Sequence, residues 1–287
     1  MGMNLRAAGK KHEVGWMLGR RLKWLGLAVL AGAMTWGAVQ TAPAATDDDP
    51  WLEIASAAFN GRMLADGSGL ISIEMPARAE DAAIVPVTMR TTLPQGDTRT
   101  LRSFTLVIDQ NPSPVAATFK VDAGVTMIST RVRVNSHSNV HAVAQLSDGK
   151  LYVAKTYVKA SGGCSAPMTN SADGKTALGQ MRLRQFVMPS AGPATASHEA
   201  QIMIRHPNNS GLQRDQVSLL YIPLFIVRKL RVWQGDQLLL EMDGGISISE
   251  NPTIRFSYVP NAASTFHAEA EDTEGHVFKG EWPVEAM

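Results

Sequence analysis

One cysteine, Cys164, stands in a chain of 287 residues, so no internal disulfide can form. A single thiol also excludes a dithiol redox pair, and no haem-attachment motif is present. Charge is scarce, with 18% charged residues and a formal net charge of +1, and the cations form no stripe. Nucleic-acid binding needs clustered Lys and Arg against phosphates, so that class is set aside. The chain has no Gly-x-Ser-x-Gly elbow, no phosphate loop and no dinucleotide fingerprint. The 14 methionines are scattered, as core gap-fillers are, rather than clustered for a soft metal. What remains is an ordinary globular balance, with 45% hydrophobic residues, in a chain long enough for one large domain or two smaller ones.

The N-terminus reads as an export signal. Arg20, Arg21 and Lys23 close a basic stretch, an uncharged run extends from Trp24 to Thr46, and Ala42-Pro43-Ala44 offers small residues for cleavage. Residues 1–44 are therefore expected to be a signal peptide, by the general or the twin-arginine route, with the remaining chain in the periplasm. The alternative for the uncharged run is a retained anchor, since it is just long enough to span a bilayer. Six of the cations lie in residues 1–44 against Glu13 alone, so the remainder is mildly acidic.

Past the leader, Asp49-Pro50-Trp51 predicts a helix start, and Trp51, Ile54, Ala55, Ala58 and Phe59 continue it at helical spacing to Asn60-Gly61. From Leu70 the period shortens to that of strands. Runs at 70–75, 83–91, 101–108, 115–121, 127–134, 140–146 and 151–158 are separated by turn residues such as Ser147-Asp148-Gly149. After 160, strand-type runs resume at 181–188, 199–205, 219–227, 230–234, 237–242, 253–259, 265–270 and 277–282. The expected fold is all-β: two immunoglobulin-like or fibronectin-like sandwiches after a short N-terminal helix. The boundaries read 45–159 for the first sandwich and 181–287 for the second. Between them, residues 160–180 are small, polar and aperiodic, a flexible linker that carries Gly162-Gly163-Cys164.

In order along the chain stand Pro76, Ala79-Glu80-Asp81-Ala82, Val85-Pro86-Val87 and Gly162-Gly163-Cys164. They are followed by Ile204-Arg205-His206-Pro207, Ile222-Pro223-Leu224-Phe225-Ile226 and Ile248-Ser249-Glu250-Asn251-Pro252. The first set resembles SoxY and the second SoxZ, the two subunits of the periplasmic sulfur-oxidation carrier, here joined in one chain. Fused chains of this kind are similar to SoxYZ-like carriers associated with quinoprotein dehydrogenases. The resemblance implies that Cys164 is a covalent attachment site for a small adduct that can contain sulfur, with Gly162 and Gly163 giving the arm its mobility. It implies no catalysis, no cofactor and no metal. The partners implied are periplasmic enzymes, either Sox-type sulfur-oxidation enzymes or a quinoprotein dehydrogenase. In SoxY the arm ends the chain; here Ser165-Ala166-Pro167 follows and the arm is tethered at both ends.

A carrier thiol must ionise and must reach a partner. An ordinary thiol near pKa 8.5 is only a few per cent thiolate at neutral pH, and Lys155, Lys159 or Lys175 could raise that fraction if they fold nearby. The expectation is a solvent-reachable hinge between two rigid sandwiches. His137 and His141 are four apart in a strand and turn, where that spacing does not converge on a metal. His206 either orients Cys164 or satisfies loop backbone; Trp51, Trp233 and Trp282 read as core anchors. Two functions follow: a covalent carrier that depends on Cys164, and a non-catalytic binding or assembly module for a quinoprotein dehydrogenase in which Cys164 is dispensable.

Overall fold

Alternation of apolar and polar residues turns almost every expected run into a strand. The computed structural model describes residues 49–122, 124–167, 177–186 and 198–285. The expected signal peptide and the middle of the expected linker, with Lys175, lie outside the described residues. The helix α1 spans Trp51–Ala58. Asp49 Oδ1 accepts the Trp51 N–H at 3.1 Å, and the chain leaves the helix where Asn60 and Gly61 turn left-handed.

Eight strands follow in the first half: β1 Leu64–Asp66, β2 Ile71–Glu74, β3 Val85–Thr91, β4 Leu101–Ile108, β5 Val115–Val121, β6 Met127–Val132, β7 Ser138–Leu146 and β8 Leu151–Val158. Seven make up the second: β9 Met181–Phe186, β10 His198–Ile204, β11 Val227–Gln234, β12 Gln237–Gly244, β13 Thr253–Tyr258, β14 Thr265–Asp272 and β15 Val277–Pro283. Among the described residues the fold is an all-β sandwich with one short helix, as expected. Gly149, Gly235 and Gly275 take positive φ in the turns of the β7–β8, β11–β12 and β14–β15 hairpins.

Both sheets run through both halves. The larger is ordered β1-β8-β7-β4-β5-β12-β11-β14-β15, the smaller β2-β3-β6-β13-β10-β9. The two sandwiches are therefore welded edge to edge, with β5 antiparallel to β12 (Phe119 opposite Met242) and β6 to β13 (Ile128 opposite Phe256). The weld consumes edge N–H and C=O groups that each sandwich would otherwise expose. One core is continuous across it: Phe104, Phe119, Ile128, Leu240, Met242 and Phe256 are all fully buried. Burial of side chains this size contributes about 1.5–3 kcal/mol each.

Two elements differ from expectation. Strand β1 is only Leu-Ala-Asp, too short to show a period. The stretch 219–226 is not a strand but a loop, exposed over 219–221 and returning to the core at Ile226. Pro223 lacks an N–H, and the backbone is held by isolated bridges, Asn209 with Phe225 and Arg214 with Tyr221, and by scattered bonds such as Ile222 N–H to the Gln213 carbonyl. The helix α1 lies on the outer face of the larger sheet, where Ala55 and Phe59 pack on Val107, Val143 and Leu151. No described helix is long and apolar enough to cross a membrane.

Candidate functional site around Cys164

After β8 the chain turns back on itself instead of swinging free. Gly162 donates its N–H to the Asn135 carbonyl at 2.7 Å, and Gly163 to the Val134 carbonyl at 3.1 Å. Ser165 N–H then closes the turn on the Gly162 carbonyl at 3.2 Å. The two glycines have different reasons to be glycine. Gly162 has φ +76 with open space around it, a left-handed turn position. Gly163 needs its missing side chain, since a Cβ there would stand 2.0 Å from the Ala82 carbonyl oxygen.

Cys164 is 0% exposed. The second half covers it: the Ser210 hydroxyl donates to the Cys164 carbonyl, and Gln213 Nε2 donates to the Ala166 carbonyl at 3.1 Å. The expected solvent-reachable hinge is thus corrected at its described residues. Gly162 and Gly163 serve a docked turn, and the thiol is enclosed. The physical reason is the weld, which brings the 208–213 segment of the second half against the end of the first.

Burial pushes the Cys164 thiol up to about 11, with the nearby Arg133 guanidinium pulling the other way. Arg133 is the cation at the site, and it is itself 1% exposed. Its Nη1 donates to the Gly163 carbonyl at 3.3 Å and its Nη2 to the Asn208 carbonyl at 3.4 Å, while Nε has no hydrogen-bond partner among the described residues. Desolvation lowers its own affinity for a proton, and Glu250, Cys164 and Asp81 oppose that. Lys155 and Lys159 take no such place. Lys155 is an exposed residue opposite His141 on β7, and Lys159 is exposed with its backbone bonded to Ala77 and Ala79. Arg133 carried no signal in the sequence, where it lies within the strand-type run 127–134.

A buried polar network holds the same ground. Asn111 Nδ2 donates to the Arg133 carbonyl at 2.7 Å and to Ser247 Oγ at 2.8 Å, and its Oδ1 accepts the Asn135 N–H at 2.8 Å. Asn208 is anchored within the second half, through Nδ2 to the Ile248 carbonyl and Oδ1 from the Val227 N–H, and its own carbonyl accepts from Arg133 of the first half. His206 satisfies loop backbone: Nδ1 accepts the Asn208 N–H at 3.0 Å, so the proton sits on Nε2, which faces Asp272 at 3.6 Å. Burial pushes His206 down to about 4.

His137 and His141 do not meet at a common ion. His137 Nδ1 donates to the Ala160 carbonyl at 2.7 Å; His141 donates through Nε2 to Asp109 at 3.1 Å beneath a stacked Trp51. Among the described residues no three His, Cys, Asp or Glu side chains gather as metal ligands. Trp233 stacks on His267, and Trp282 packs at the core's margin, partly buried.

The arrangement defines a non-dithiol, two-lobed β-sandwich protein whose one cysteine closes the first lobe under the cover of the second. Residues 55–164 match the family of sulfur oxidation protein SoxY, and residues 189–283 match sulphur oxidation protein SoxZ. Together the matches span more than half of the chain, which belongs to the fused SoxY–SoxZ family. The SoxY match ends on Cys164 itself. No curated protein sequence matches the chain. Among solved structures it is similar to the sulfur carrier protein SoxY from Chlorobium limicola f thiosulfatophilum, at 30% identity over 38% of this chain and 89% of that one, TM-score 0.32. It is also similar to the superoxide reductase (neelaredoxin) from Ignicoccus hospitalis, at 14% identity over 31% of this chain and 78% of that one, TM-score 0.28. At these TM-scores neither likeness bears on function.

Proposed function

We propose that this chain is an exported, periplasmic carrier that holds a sulfur-containing adduct covalently on Cys164 while Sox-type sulfur-oxidation enzymes act on it. The observation that carries the reading is the position of Cys164, the last residue of the SoxY match, directly after a Gly-Gly turn. The chain supplies attachment and presentation; the chemistry belongs to its partners. Loading from a persulfide donor needs no external oxidant. The donor's sulfane sulfur bonds to Sγ, the donor's S–S bond breaks, and the Cys164 proton passes to the departing thiolate. In the enclosed state that step is suppressed, because the thiol is protonated and covered. Loading therefore requires the turn at 162–166 to open. Arg133 then lies beside an anionic persulfide, which its charge favours over the neutral thiol.

A second reading rests on the same burial: a non-catalytic binding module, for which a quinoprotein dehydrogenase is the candidate partner, with Cys164 an inert packing residue. A thiol that is fully covered and pushed up in pKa is what an inert residue looks like.

Cys164→Ser separates the two. A carrier loses all sulfur-dependent activity in its host, while a binding module keeps it. Intact-mass analysis of protein taken from its own cells without reductant reads the adduct directly. Added mass of one or more sulfur atoms on the Cys164 peptide supports the carrier, and a bare thiol in every preparation sinks it.

A further inference from the structure

The second half carries an apolar projection that packing does not explain. Between Arg214 and Tyr221 every residue is exposed. Val217 is 94% exposed, Leu219 66%, Leu220 70% and Tyr221 60%. Single exposed apolar side chains are normal on a protein surface, but four large ones on one short loop mark an interaction site. The loop is built rather than frayed. Asp215 N–H donates to the Leu220 carbonyl and Leu219 N–H to the Asp215 carbonyl, both at 2.9 Å. Asp215 Oδ1 accepts from Val217 and Ser218. Leu219 sits at φ 59, a left-handed conformation that branched side chains resist, so backbone strain and solvent exposure are both tolerated to hold this tip.

The stem of the loop is bonded to the backbone of the Cys164 turn. Ser210 and Gln213, at its base, hold the carbonyls of Cys164 and Ala166. Anything seated on the tip is linked through this stem to the Cys164 turn, and a pull on the stem is a pull on the cover of Cys164.

We infer that the 214–221 loop is the docking element for an enzyme that acts on the Cys164 adduct, and that docking there unlatches Ser210 and Gln213 from the Cys164 turn. The inference rests on the carrier reading above and names its partner surface: an apolar recess with an acidic rim. The recess takes Val217, Leu219 and Leu220. The rim answers Arg214, whose guanidinium is stacked on the Tyr221 ring at 4.6 Å and held by the Tyr221 hydroxyl at 3.1 Å. A lipid surface is the poorer match, since membrane-docking segments surround their apolar tip with several cations. Here Arg214 is accompanied by Asp215.

The experiment uses the full chain expressed in its own cells and recovered without reductant, with the fraction of Cys164 peptide carrying added sulfur mass as the readout. Val217→Ser/Leu220→Ser removes the apolar tip at two solvent positions, and an unchanged thermal midpoint shows that the fold survives. The loaded fraction is expected to fall at least tenfold in this variant. Met63→Ser, at another exposed apolar position, is expected to load like the unaltered chain. Equal loading of the tip variant, or an equal fall in Met63→Ser, overturns the docking inference and leaves the carrier reading intact. A bare thiol in the unaltered chain overturns both. Sedimentation of the purified chain with anionic phosphatidylglycerol vesicles, lost in the tip variant, would assign the loop to a lipid surface and overturn the inference.

Discussion

The Ser210 hydroxyl donates to the carbonyl oxygen of Cys164, so a side chain from the second half closes over the backbone of the residue that ends the first. The fused chain makes this contact within one molecule. Its strength sets how often the thiol is exposed, since local opening draws on the few bonds that hold a segment rather than on global stability.

Ser210→Ala and Gln213→Ala each delete one of those bonds. A typical intramolecular hydrogen bond contributes about 1 kcal/mol, so each variant should open the turn roughly fivefold more often. The rate of Cys164 alkylation by iodoacetamide, followed by mass spectrometry under native conditions, should rise by that factor. The double variant should rise by more. A rate that stays at the unaltered value would mean that Arg133 and the Gly-Gly turn, and not the second half, govern access.

The two glycines of the turn should answer alanine differently. At Gly163 the new Cβ would overlap the Ala82 carbonyl oxygen, so Gly163→Ala must push the turn off Val134 and should cost about 3 kcal/mol or more. Gly162→Ala meets no atom and pays only for positive φ, on the order of 1 kcal/mol. Denaturant unfolding of both proteins checks the ranking. A mobile arm, in contrast, would tolerate both changes equally.

That contrast shows what the amino-acid sequence could and could not say. Strands β4, β5 and β8 were legible to their end residues, because Leu101–Ile108, Val115–Val121 and Leu151–Val158 are β-rich runs between clear turn signals. The edge-to-edge weld was not legible, since nothing local in β5 or β6 encodes a partner more than a hundred residues away. Gly162-Gly163 looked like flexibility because glycine permits motion and close approach alike; only the neighbouring Ala82 and Val134 carbonyls decide between them. The cation at the thiol was sought among the sequence neighbours Lys155, Lys159 and Lys175, and among the described residues it is Arg133, which stands before β7 and β8 in the chain. The run 219–227 read as a strand, yet Leu219, Leu220, Tyr221 and Leu224 face solvent and only Val227 enters one, as the first residue of β11.

His206 makes the joined halves sensitive to acid. Its folded-state pKa lies near 4, below the ordinary histidine value, because burial penalises the cation more than Asp272 repays it. The unfolded chain therefore binds a proton first as pH falls. The stability His206 contributes is complete above about pH 6.5 and is lost progressively down to about pH 4. Urea unfolding at pH 7, 6 and 5 should show a steady decline, and His206→Gln should flatten it. An equally steep decline in the variant would place the acid sensitivity on the carboxylates instead.

Cys164 makes the opposite demand at alkaline pH, and this bears on whether it is a carrier at rest. Its folded-state pKa, about 11, stands above the ordinary thiol value, so the folded protein holds the proton more tightly than the unfolded chain does. The resulting stability is fully present below about pH 8.5 and disappears as pH rises towards 11. A shift of that size corresponds to about 3 kcal/mol at its limit. Unfolding free energies measured at pH 7.5, 9 and 10.5 should fall by up to that amount in the unaltered chain and far less in Cys164→Ser. Under the same conditions alkylation should climb through pH 9 without levelling, because the enclosed thiol has not finished titrating. A plateau near pH 8.5 with no loss of stability would mean that the thiol spends its time in solvent and that the enclosed turn is not the resting state.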